Sequence, residues 1–172
     1  AAQVEKGLDL YAAGKYEDAS ALFGEMVMDD PLQPMNYLLR AWAIADGLKQ
    51  PANALPVYNR MLDADIDHSK AASLYGFGLL FSGKKAEAVK WADDILRDNN
   101  DTDGSLNYMA ACLYAQADEL EKGYQCVENA LGKGYANRYN LTERSDARVN
   151  IAPLRKGDRL TRILANYSYI FE

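Results

Sequence analysis

Histidine is nearly absent from this chain: His68 is the single imidazole in 172 residues. One histidine cannot build a histidine-based metal site, and it reads as a surface loop or cap residue near a helix start. No Gly-x-Ser-x-Gly, no glycine-rich phosphate loop and no paired catalytic carboxylates accompany it, so hydrolytic chemistry has no visible machinery. The two cysteines, Cys112 and Cys126, match neither a zinc nor a thioredoxin spacing. A basic run is missing as well. With 19 Lys and Arg against 25 Asp and Glu, the net charge is −6, which repels nucleic acid rather than gathering it. No apolar stretch approaches the roughly 18 residues that cross a bilayer, so membrane insertion is not expected. Strand-like alternation is absent too, which leaves an all-α class. The expectation is a non-enzyme with no cofactor and no metal.

What the chain does have is a pattern of small residues. Ala19, Ala54, Ala88 and Gly123 follow one another at intervals of 35, 34 and 35 residues. A second column, Gly7, Ala41, Gly76 and Ala111, runs in phase with it at intervals of 34, 35 and 35. Two antiparallel helices approach closely only where each offers a small side chain, so Gly7 is expected to face Ala19. Phe23 then fills the gap beside that contact, and Gly14 ends the first helix where the chain turns.

Gly7, Leu10, Gly14, Tyr16, Ala19, Phe23 and Pro31 fall at the spacings of a helix–turn–helix unit about 34 residues long, and here the chain resembles the tetratricopeptide (TPR) family. The resemblance implies a right-handed α-α superhelix, a solenoid of about four hairpins forming a single repeat domain over residues 1–172. The repeats cover about 2–31, 34–66, 68–100 and 103–135. Helices are expected over 2–13, 16–29, 34–47, 51–64, 68–82, 85–98, 104–117 and 120–132. Pro51 opens the fourth of them, where its missing N–H has no helical partner to lose. The turn at Gly47-Leu-Lys-Gln is about one residue longer than the family's standard, and Asp118 takes the place of the family's turn glycine. The copies also depart from the pattern. The closing proline appears only at Pro31, with Ile66, Asn100 and Tyr135 at the matching positions. Residues 136–172 resemble the tail that closes many bacterial TPR arrays, with Asp146, Ala152-Pro153-Leu154-Arg155, Asp158 and Arg159. A solenoid ends on an exposed apolar face, and Leu154, Leu160, Ile163 and Leu164 would cover it, with Arg155 fixing the turn at the surface.

Three further motifs have plainer readings. Cys112 and Cys126 lie on opposite helices of one expected hairpin, but Cys112 should point away from its partner, so two small apolar side chains are expected rather than a disulfide. Asn99-x-Asp101-x-Asp103-Gly104 imitates a calcium loop, yet the twelfth position is Ala110, and an acidic turn capped by Asp103 or Ser105 is expected instead. Asn100, Asn140 and Asn166 head glycosylation sequons of little weight. The Ala-Ala-Gln start, without Met, is compatible with the end of a removed signal peptide and leans the expected compartment toward a bacterial periplasm or secretion.

In the family the first helices of successive repeats line a concave groove. That resemblance places Leu8, Tyr11, Leu38, Trp42, Phe77, Phe81 and Tyr108 there, with Val4, Ser73, Leu80 and Cys112 beside them. Val4 and Leu8 occupy the positions where a member that reads a peptide carboxylate carries Lys and Asn, so a chaperone C-terminal tail is a poor ligand. The expected function is a non-catalytic protein–protein interaction module, or scaffold, that binds a protein or peptide segment in an apolar groove. The alternative is a structural or oligomerisation domain of a larger chain with the groove filled internally, which leaves a homo-oligomer open.

Overall fold

The computed structural model describes residues 2–64, 75–80, 82–145 and 150–172, and among these all regular structure is helical. The order is α1 (Ala2–Ala12), α2 (Tyr16–Asp29), α3 (Pro34–Trp42) running into a π-turn (Ala43–Gly47), α4 (Pro51–Asp63), the helical residues 75–80 (α5), α6 (Lys85–Asp98), α7 (Ser105–Gln116) and α8 (Leu120–Gly132). A short α9 (Arg138–Thr142), a 3₁₀ turn (Ala152–Arg155), α10 (Arg159–Ala165) and a last 3₁₀ turn (Ser168–Phe171) follow. His68, Ser73, Phe81, Ile66 and Asp146 lie outside the described residues.

One type of turn recurs. Gly14, Lys49, Gly83 and Asp118 all have positive φ, at +77°, +59°, +78° and +61°. Each precedes by five residues a member of the column Ala19, Ala54, Ala88 and Gly123. Three of these turns close with the same hydrogen bond, Lys15 N–H to Leu10 O, Lys84 N–H to Leu79 O and Glu119 N–H to Tyr114 O, each at 2.9 Å. The second turn closes one residue wider, with Gln50 N–H donating to Ile44 O at 3.1 Å. The extra residue of that loop is therefore absorbed inside the preceding helix as the π-turn, a common device for an inserted residue.

The chain divides into two compact units, Ala1–Lys84 and Lys85–Glu172. In the first, α2 packs against both α1 and α3, and α3 packs against α4. Ala19, Phe23, Met26, Leu39 and Ala43 form a buried cluster, with Val4, Leu10, Tyr11 and Trp42 packed on it. The Phe23 ring occupies the space that a Gly7 side chain would need: a Cβ there would stand 2.3 Å from Cε1 of Phe23. Tyr58 crowds Gly78 in the same way, 2.4 Å from the position of its missing Cβ.

In the second unit α7 lies between α6 and α8. Its N-terminus is capped mainly by Asp101, while the expected Asp103 takes only the first helical N–H, that of Ser105. The buried Asp101 carboxylate accepts from the backbone N–H groups of Gly104, Leu106 and Asn107 and from the Asn107 amide. Asp103 accepts only from Ser105. A carboxylate two residues earlier reaches the second and third helical N–H groups because Gly104 turns the chain back at φ +84°. The tail packs on α7 and α8: Leu154, Leu160 and Ile163 are buried, and a Cβ on Gly123 would stand 3.0 Å from the Leu154 side chain. Arg155 does not merely sit at the surface. It donates to the carbonyls of Asn140, Leu141 and Arg144, tying α9 to the final turns.

Candidate protein-interaction face

Val4, Leu8 and Tyr11 lie along one side of α1, and Met35, Leu38 and Trp42 along one side of α3, at the three- and four-residue spacings that align helical side chains. Leu8 is 39% exposed and Met35 47%, while Val4, Tyr11, Leu38 and Trp42 are half-buried. Tyr11 joins the two rows. Its ring stacks on Trp42 with centroids 4.0 Å apart and planes 21° apart, and the edge of Tyr16 meets it at 5.0 Å. Its hydroxyl donates to Asp46 Oδ2 at 2.9 Å. The π-turn makes this arrangement, because it carries Asp46 toward α1 and brings Gly47 against the rings. A Cβ on Gly47 would lie 2.6 Å from Tyr16 and 3.1 Å from Tyr11.

Four of the residues expected to bind a partner, Leu8, Tyr11, Leu38 and Trp42, are thus brought together. Phe77 is not on a surface: it is 0% exposed. It is followed by Gly78, whose missing side chain lets the backbone lie tight against the Tyr58 ring. Tyr108 is 6% exposed and lies under the tail, stacked on Tyr135 at 4.8 Å with its hydroxyl donating to Asn140 O at 3.4 Å. Phe81 lies outside the described residues. Met35 and Asp46 belong to the face and escaped the family pattern. Met35 was legible as the residue one turn before Leu38 on an apolar stripe, whereas Asp46 joins only through the π-turn.

Other candidate chemistry has structural uses. Cys112 and Cys126 are both free and buried, and burial pushes each thiol up to about 12. Asp101 and Asp103 are taken up by the cap of α7. Burial opposes ionisation of Asp93, but hydrogen bonds from the Tyr114 hydroxyl and Lys122 outweigh it and hold the carboxyl below its ordinary range. Among the described residues no group of three or more His, Cys, Asp or Glu is placed to hold a metal ion, and no helix is long and apolar enough to cross a membrane. No family model matches this chain, and neither does any curated protein or solved structure.

Proposed function

We propose that this protein is a non-catalytic interaction module of TPR-like hairpins that receives a segment of a partner protein on the apolar face of α1 and α3. The observation that carries the reading is the Trp42 row itself. Leu8 and Met35 leave large apolar side chains exposed beside a half-buried tryptophan that is already held in place by Tyr11. A tryptophan held rigidly in such a face loses little side-chain freedom on binding and is a common energetic anchor of an interface. The repeat reading is supported by the recurring left-handed turn and its constant distance to the small-residue column. Its test is selection from a displayed random peptide library against the immobilised chain. Selected peptides should bind saturably and lose binding to Trp42→Ala and to Leu8→Asp, while Lys133→Ala, an exposed position in the second unit, changes nothing. Peptides that ignore both face variants would place the function elsewhere.

A second reading has its own observation. In the second unit Tyr108 and Cys112, at the matching positions of their helix, are covered by the chain's own tail. If the same face is covered in every copy, the array is a structural or oligomerisation domain. Sedimentation velocity separates the two: a concentration-dependent dimer that Leu8→Asp dissociates would favour the structural reading.

A further inference from the structure

We propose that the segment received by the α1/α3 face is a cationic amphipathic helix; this deepens the reading just given and rests on it. The first argument is charge. On the flank of α1 beyond Leu8 stands Glu5, and further round the helix, toward Lys6, stands Asp9; both are exposed and four residues apart. Neither has a salt-bridge partner among the described residues. Asp46 adds a third carboxylate at the Trp42 end, where it accepts from Tyr11.

The cations of these two helices are turned away. Lys6 is the only one on α1, and two residues before Leu8 is nearly the opposite side of a helix. Arg40 is the only one on α3, and it lies over Gly24 of α2, its guanidinium carbon 3.2 Å from where a Gly24 Cβ would be. Lys15 and Lys49 stand in the turns at one end, alongside Glu17 and Asp18. An apolar stripe edged by carboxylates repels an acidic segment and steers a basic one.

The second argument is what already covers the matching positions in the second unit. Tyr108 and Cys112 are two repeat lengths beyond Leu38 and Trp42. They lie under the segment 135–144, which contains the short helix α9. From it Tyr135 stacks on Tyr108, the Asn140 carbonyl accepts the Tyr108 hydroxyl, and Arg144 lies near enough to act on both Tyr108 and Cys112. The chain thus carries its own example of a cover for this position: a short segment wound around the single turn of α9, with an aromatic ring before that turn and an arginine after it. In the first unit the carboxylates at the edge of the face give such an arginine a partner.

The test uses two fluorescently labelled amphipathic peptides of about 15 residues, roughly four helical turns. They share one apolar stripe containing a Phe, and differ only in carrying Lys and Arg or Glu at the polar positions. Anisotropy titration of the full chain at low salt should show the cationic peptide binding about tenfold or more tighter. That preference should shrink at about 0.5 M salt, where screening is nearly complete beyond contact distance. Glu5→Lys with Asp9→Lys, both exposed, should reverse the preference, and Leu8→Asp should weaken both peptides. Equal binding of the two peptides, lost in Leu8→Asp, would overturn the charge inference and leave the docking face standing. Binding of neither peptide, or binding that Leu8→Asp and Trp42→Ala leave untouched, would remove the face itself and with it the proposed function.

Discussion

Tyr11 stacks on Trp42 and donates its hydroxyl to Asp46, so one side chain of α1 grips both the end of α3 and the π-turn that follows it. Removing only the hydroxyl separates these two roles. Tyr11→Phe keeps the stack and should lower stability by about 1 kcal/mol, the usual net worth of one such hydrogen bond. Urea melts should show that loss with peptide binding nearly unchanged, whereas Trp42→Ala should abolish binding.

Gly7 and Gly14 should fail for different reasons. At Gly7 any side chain meets the Phe23 ring, and Gly7→Leu is expected to cost about 1–3 kcal/mol or more through overpacking. At Gly14 nothing lies within 4 Å of an added Cβ, but φ is +77°, so Gly14→Ala should cost about 1 kcal/mol from backbone strain alone. Thermal melts in which both variants match wild type would show that the first hairpin is packed differently.

Lys49 is the one member of the left-handed column that is neither Gly nor Asp. Lys49→Gly should stabilise the first unit by up to about 1 kcal/mol, because glycine adopts this conformation without a Cβ clash. Gly47→Ala, two residues earlier, should do the opposite by driving into Tyr16. Equilibrium unfolding of the pair, read as shifts of opposite sign, checks the π-turn geometry.

The tail should behave as part of the second unit's core. Leu154 is fully buried, and Leu154→Ala is expected to cost about 2–5 kcal/mol. Arg155→Met should also destabilise, since it removes the arginine's hydrogen bonds to the Leu141 and Arg144 carbonyls and leaves Asn140 O with only the Tyr108 hydroxyl. Deleting residues 150–172 should expose apolar surface on α7 and α8 and promote aggregation, which light scattering would detect.

The buried thiols give the stability a pH dependence. Burial raises Cys112 and Cys126 from 9.0 to about 12 in the folded chain, so both are protonated there when the unfolded chain already ionises. Their contribution is present below about pH 9 and is lost as pH rises toward 12. Asp93 acts at the other end. Its carboxyl is held low, so its contribution is present above the unfolded value of 3.8 and is lost as pH falls below it. Urea midpoints across pH should fall at both extremes. A thiol reagent at pH 8 should modify neither cysteine in the native chain and both after unfolding.

The helices were legible because their signals are local. Pro34 and Pro51 open α3 and α4, Gly14 and Gly83 end the helices before them, and the apolar periods between place the other boundaries that fall on described residues within one or two residues of where they lie; the expected start at 68 lies outside the described residues. The hairpin contact at Gly7 was legible for a related reason. A missing side chain at one position and a large one at another leave a record in composition. The cap of α7 was not legible, since any of three neighbouring carboxylates or hydroxyls could reach the helix and only the reversal at Gly104 selects Asp101.

The sequence by itself determined the helical class and the apolar stripes of α1 and α3, because each depends on residues within one or two turns of each other. Exposure was decided only by the tertiary structure. Trp42, Phe77 and Cys112 sit at matching positions in the sequence pattern, yet Trp42 is partly open, Phe77 is enclosed beside Gly78 and Cys112 is fully buried next to Tyr108, which Tyr135 covers. Whether an apolar side chain is core or contact surface depends on what distant segments bring over it. That long-range closure is not written in the spacing of any one helix.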